Sequence, residues 1–455
     1  MLQARGALRA LVKKCVVLVS LAVPVLAGNA WADGSGKKVE PALRLLSSVP
    51  IPISPTNTGT GTFSFDISWV DQSDGTYYLA DRNNQAVDAL FAESIVKQIV
   101  PNNGHAPFAG ISPPAFSTAT AGPNGVVAVF PWLFVTDAPS RVLSFDLRQN
   151  PPLTVSEVTT LAGEPTRADE LAYDPKDGLI LAINNASTPP FGTLISVNQT
   201  TGALAVVKNI FFDAAHGVDA QNGAEQPVWD PGTQKFFLSI PQLGPVPTQG
   251  AVIRISTTGT VEATYLINFC SPAGLALGPH EDLLVGCNTI WATNGSLWTG
   301  NVDRNSFTAA PQLVILNAKT GSVEANVLGA GVGDEVWFNK GDNHYYATGS
   351  GSNLAPNALF PARPPVGTAT TAPVNVSQGA ATLDVIDALS ETLDQRVPTL
   401  NVPANDGVHA AGTAHSVAAD ADTNHVFVPI AANNAFPNCL TGCITIYGRD
   451  DPDQD

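Results

Sequence analysis

Short apolar runs, each closed by a cluster of Asp, Gly, Asn or Pro, recur along this chain, and no stretch carries the 3.6-residue periodicity of an amphipathic helix of any length. The clearest unit is residues 170–184 (ELAYDPKDGLILAIN): a polar entrance, an apolar strand, a tight turn and a second apolar strand. Residues 192–202 (GTLISVNQTTG) add a third strand and a turn. The same plan returns at 226–240 (QPVWDPGTQKFFLSI) with 250–256, and at 272–277 with 282–286 and 312–317. It returns again at 335–338 with 344–347 and 382–386, and at 416–420 with 425–428 and 443–447. Two less regular copies, at 66–80 and 126–145, precede them. Seven copies of a strand-rich unit predict an all-β fold, a β-propeller of seven blades, each a four-stranded antiparallel sheet. A propeller must also join its last blade to its first, and residues 41–53 (PALRLLSSVPIPI) could supply the closing strand.

Composition agrees with this plan. The chain is 44% hydrophobic and 13% charged, with 39 Gly and 36 Pro but no collagen-like period, which excludes a disordered or fibrous protein. Residues 1–32 read as a signal peptide. Arg5, Arg9, Lys13 and Lys14 precede the apolar run 15–28, which is too short to span a bilayer, and Ala30 to Ala32 offers small residues for cleavage. The expected organisation is therefore a signal peptide (1–32), an N-terminal segment (33–60), one propeller domain (61–449) and an acidic tail (450–455). The protein is expected to be secreted or periplasmic, with no membrane span in the mature chain.

Losing those four basic residues takes the formal net charge from −17 to −21. So acidic a surface repels nucleic acid and attracts cations, which leaves a small-molecule ligand or a protein as the expected partner. Four cysteines remain, Cys270, Cys287, Cys439 and Cys443. An even count in an exported chain favours two disulfides; of three possible pairings, proximity favours Cys270–Cys287 and Cys439–Cys443.

In a blade, the entrance to the first strand and the exit from the second open on one face, so polar residues at those positions converge around the central channel. The entrances carry Asp66, Asp169 with Glu170, Glu225, Asp334 with Glu335, and His415; the exits carry Asp81, Asp137, Asn184 with Asn185, Asn288, and Asn433 with Asn434. Such oxygens suit a hard divalent cation, calcium before others. No G-x-S-x-G, Walker A, H-E-x-x-H or C-x-x-C motif is present, so serine-hydrolase, nucleotide-dependent and haem chemistry find no support.

The turns Asp174-Pro-Lys-Asp-Gly178 and Asp230-Pro-Gly232 give the chain a likeness to known propellers. Over nearly all of its length it resembles the YVTN, NHL and gluconolactonase-like superfamily. The gluconolactonase-like members hold a metal in the channel with Glu, Asn and Asp, which implies Glu170, Glu335, Asn184 and Asn288 as ligands here, with Asp66 beside them. On that resemblance, His415 or an uncoordinated carboxylate such as Glu225 would carry the proton in a metal-assisted lactonase or esterase reaction. The alternative is a non-catalytic propeller that binds a ligand or a protein. Those enzymes have six blades, so the correspondence is by type of position.

Overall fold

The computed structural model describes residues 41–57, 64–91, 94–111, 117–296, 313–327, 330, 333–349, 382–399, 414–433 and 436–449. The expected signal peptide (1–32) and acidic tail (450–455) lie outside the described residues. Seven four-stranded antiparallel sheets account for the described strands, and helical structure among these residues is limited to three short 3-10 turns. The innermost strands are Phe65–Asp71, Val126–Val129, Leu171–Asp174, Pro227–Asp230, Cys270–Leu277, Glu335–Asn339 and Ala418–Ala419, for blades 1 to 7. Each of these touches the innermost strands of both neighbouring blades, and the circuit closes from blade 7 to blade 1. That is a seven-bladed propeller around a central channel.

The core explains why the strands read as continuous apolar runs. Seven hydrophobic clusters each span one blade-to-blade interface, so the inner strands are covered on both faces. Phe237, Val252 and Tyr265 of blade 4, for example, meet Leu275, Leu283 and Val285 of blade 5. The outermost strands are the more exposed ones, and Val261–Asn268 alternates along its length, with one face meeting solvent.

The recurrent Asp or Asn at the end of an innermost strand has a job common to these blades. Its side chain accepts backbone N–H groups of the turn that follows, as Asp174 Oδ1 does from Lys176 N at 2.8 Å and Asp230 Oδ1 from Gly232 N at 2.8 Å. Gly178, at φ 66°, completes the first of these turns in a conformation that L side chains rarely adopt. Asp71, Asn339 and Asp420 repeat the arrangement in blades 1, 6 and 7.

Blade 7 is assembled from both ends of the described chain. Arg44–Pro50 pairs antiparallel with Cys443–Gly448, which is itself paired with Val426–Ile430. Leu43, Leu45, Val49 and Ile51 are buried as a result. Gln395 of blade 6 clamps the start of this segment, donating to Leu43 O and accepting from Leu43 N, both at 2.8 Å. Cys270 is disulfide-bonded to Cys287 within blade 5, and Cys439 to Cys443 beside the closing strand.

Candidate functional site at the channel mouth

One register places the polar entrances together. In blades 2, 3, 4 and 6 the N–H of Asn124, Asp169, Glu225 and Asp334 donates to a second-strand carbonyl, of Thr136, Ile183, Ser239 and Thr348 respectively. The residue at this position and the next therefore enter at the same level in blades 3, 4 and 6, as Asp169 with Glu170, Glu225 with Gln226 and Asp334 with Glu335, and His415 of blade 7 joins them by bonding Asp334 and Asp66 of blade 1. Blade 5 breaks the series with Gly274, where a β-carbon would come within 2.8 Å of Asp334 O. A side chain does not fit at that point, so blade 5 sends no charge to the mouth.

Three cations answer the acids among the described residues. Arg82 donates to Asp66 Oδ2 and, at 2.8 Å, to Asn124 Oδ1. Arg167 reaches Asp169 Oδ2 at 2.6 Å and Asp66 Oδ2 at 3.5 Å. His415 lies between two carboxylates, with Nδ1 2.8 Å from Asp334 and Nε2 3.1 Å from Asp66. Asp66 is 4% exposed and Arg82 3%, so this network is screened little by solvent.

The electrostatics follow from who is paired. Burial pushes the Asp66 carboxyl up, but Arg82, Arg167 and His415 outweigh it and hold it well below the usual carboxylate range. Burial disfavours charge on His415 too, yet Asp334 and Asp66 drive it well above the usual histidine value. Burial lifts Asp169 to about 7 against the pull of Arg167. Glu225 rises to about 8 through burial and the nearby Asp169 and Asp334. Glu170 is driven well above the normal range by burial and by Glu335, Asp169 and Glu225. Glu335 is driven up in the same sense, by burial first, with His415 opposing. Oε2 of Glu170 and Oδ1 of Asp169 are buried without a hydrogen-bond partner.

The expected site residues divide into two groups. Asp66, Glu170, Glu225, Glu335 and His415 do meet at the mouth, where each affects the ionisation of at least one of the others. Asn184 and Asn288 do not join them. Asn184 is fully buried; its Nδ2 donates to Ser140 Oγ and Arg167 O, and its Oδ1 accepts from Thr160 Oγ1 at 2.8 Å. Asn288 lies on an exposed stretch of Asp282–Ile290, a blade-5 strand that continues past it. Asp81 and Asp137, the other exit acids, are turned to local loops: Asp81 accepts from Asn84, Asp137 from Ala109 and Arg141.

A metal held as the resemblance implies would need Glu170, Glu335, Asn184 and Asn288 around one point, and they are not so placed. Among the described residues no three His, Cys, Asp or Glu side chains are arranged to hold an ion. Arg82 and Arg167 already occupy the cation positions next to Asp66 and Asp169. The residues do not fit a resident metal, and no chemical step is derived through one. With both ring nitrogens bonded to carboxylates, His415 also has no lone pair to offer as a base at neutral pH. The two arginines and Asn124 were not anticipated from the sequence, although Arg167 stands two positions before Asp169 in a chain with only 22 Lys and Arg against 39 acids.

Beside the mouth, between blades 3 and 4, lies a cleft of about 430 Å³ lined by residues 185–190, Asp213, residues 219–221 and Gly223. Asn185 connects it to the channel: its Oδ1 accepts from Arg167 Nε at 3.4 Å and its Nδ2 donates to Glu225 Oε2 at 3.5 Å. Among the described residues no helix is long and apolar enough to cross a membrane.

No family model matches the sequence, and the comparison with curated proteins gives no match. Solved structures do resemble it in shape. A structure described as Kuenenia stuttgartiensis hydrazine synthase aligns at a TM-score of 0.52 with 11% identity, covering 92% of this chain and 99% of that one. A chain of a mitotic checkpoint complex aligns at 0.50 with 11% identity, covering 94% and 99%. At such identity the likeness shows the fold alone, a β-propeller.

Proposed function

We propose that this protein is a ligand-binding propeller whose channel mouth takes up a small organic cation. The observation that carries the reading is a shortage of positive charge. Six carboxyl groups (Asp66, Asp169, Glu170, Glu225, Asp334, Glu335) face three cations (Arg82, Arg167, His415) among the described residues. Glu170, Glu225 and Glu335 make no ion pair with these cations, and burial with their like-charged neighbours raises their carboxyls, as it raises Asp169, so protons stand in for the missing charge. An ammonium group could replace those protons and donate to the unpartnered oxygens of Glu170 and Asp169. A bare divalent ion is less well matched, because it needs six to eight oxygens converging at roughly 2.3–2.6 Å. Export and a catalytic activity are not needed for this reading.

Calorimetric titration with n-butylamine, n-butanol and calcium chloride tests it. The amine should bind at pH 8.5 and n-butanol should not. Affinity should fall by about tenfold or more at pH 5.5, where the glutamates are protonated, and the double variant Glu170→Gln/Glu335→Gln should lose about tenfold per carboxyl removed. Absence of amine binding at pH 8.5, or stoichiometric calcium binding that the amine does not displace, would sink the proposal.

A further inference from the structure

Resting on that reading, we infer that the ligand is an elongated polyamine: one ammonium enters the channel mouth, and the rest of the molecule lies in the cleft between blades 3 and 4, with a second ammonium on Asp219 and Asp213. Three observations converge on this. The cleft, at about 430 Å³, holds more than a single ammonium group. It adjoins the mouth, because Asn185 lines it while bonding both Arg167 and Glu225. Gly223 lines the cleft at the side nearest the mouth, where a β-carbon would stand 3.1 Å from Asn185 O and 3.5 Å from Glu225 Oε1.

The walls suit a polar cation. Asp213 and Asp219 supply carboxylates, and the His216 ring, 2.7 Å from Asp213 Oδ1, is the basic group next to them. Asp213 also caps its own turn by accepting from His216 N at 2.9 Å, which fixes its carboxylate at the cleft edge. Asp219 is tied by its backbone carbonyl to Gly244 N, and its Oδ1 accepts from Gln221, so the floor of the cleft is built by the blade 4 loops. In the mouth, beyond Asn185, the unpartnered buried oxygens of Glu170 and Asp169 give the first ammonium its acceptors. Spaced carboxylates at the two ends of a polar groove select a ligand with amines at both ends of a flexible chain.

The test compares spermidine with n-butylamine on the full-length protein at pH 8.5, with two cleft variants that leave the mouth untouched. Asp219→Asn removes the outer charge isosterically, and Ala186→Phe fills the cleft from an exposed wall position. Spermidine should bind the unmodified protein at least tenfold more tightly than n-butylamine. Both variants should abolish that advantage while leaving n-butylamine affinity within twofold of its original value. Equal binding of the two amines, or an advantage that survives both variants, overturns the cleft inference and leaves the mouth reading standing. Failure of both amines to bind overturns the mouth reading and the cleft inference with it.

Discussion

Deleting residues 41–52 is expected to lower the melting temperature by about 10 °C or more and to cause slow association through the bared edge. The segment supplies the closing strand Arg44–Pro50, and with it four buried aliphatic side chains, Leu43, Leu45, Val49 and Ile51. At about 1.5–3 kcal/mol for each side chain buried, the loss is of the order of the whole stability of a typical domain. It also leaves Cys443–Gly448 as an open edge strand whose N–H and C=O groups can pair with another molecule. Melting curves and size-exclusion chromatography of the truncated protein check this. An unchanged melting point with a monomeric profile would mean that the ring is held without its closing strand.

The second large effect concerns the channel side of the same closure. His415 belongs to blade 7, Asp334 to blade 6 and Asp66 to blade 1, so the imidazolium braces the closing blade to both its neighbours. Replacing it with alanine removes the cation from Asp334 and one of three cations from the buried Asp66, which keeps Arg82 and Arg167, and should cost about 3 kcal/mol, the lower end for a broken buried pair because the His415 side chain is 34% exposed. The pH dependence gives a signature that simple loss of packing would not. The His415 contribution is fully present below the unfolded histidine value near 6.5 and is lost as pH rises through its elevated native value. The difference in stability between the unmodified protein and His415→Ala should therefore be largest in mildly acidic solution and shrink toward pH 10. Asp66 limits the acid side, since its depressed value makes its contribution present above about 4 and lost below. The raised glutamates act in the same direction as His415, since holding them unpaired costs more as pH climbs from about 4.5 toward 8. A difference that stays constant from pH 5 to pH 10 would show that His415 is not held as a cation.

The blade plan was legible because one feature repeats with little variation: an apolar strand ended by an Asp or Asn that caps a tight turn, as at Asp174 and Asp230. The same register made the entrance residues readable, since Asp169, Glu225 and Asp334 hold equivalent hydrogen bonds in their blades. Strand exits were not readable in the same way. At the end of Leu179–Asn184, neighbouring residues face opposite ways, and the sequence does not say which of Asn184 and Asn185 turns inward. Asn184 is spent on Thr160, Ser140 and Arg167 O, whereas Asn185 bridges Arg167 and Glu225. Asn288 misled for another reason: the second strand of blade 5 runs on to Ile290, so the position is mid-strand and outward. Arg82 and Arg167 sit in loops outside the repeat, and without them the acids look like a ligand set for a metal. With them, the network contains its own counter-ions and a remainder of three glutamates that form no ion pair with them.

That remainder is the centre of the account, and a difference titration measures it most directly. Proton uptake by the unmodified protein and by the triple variant Glu170→Gln/Glu225→Gln/Glu335→Gln would be recorded between pH 5 and pH 10, both confirmed folded at each end. The account predicts carboxyl groups in the unmodified protein that release protons near pH 8 and above, Glu225 at about 8, and that are missing from the variant. Superimposable curves above pH 6 would mean that these glutamates are already ionised and paired, and that the mouth has no place for a cation.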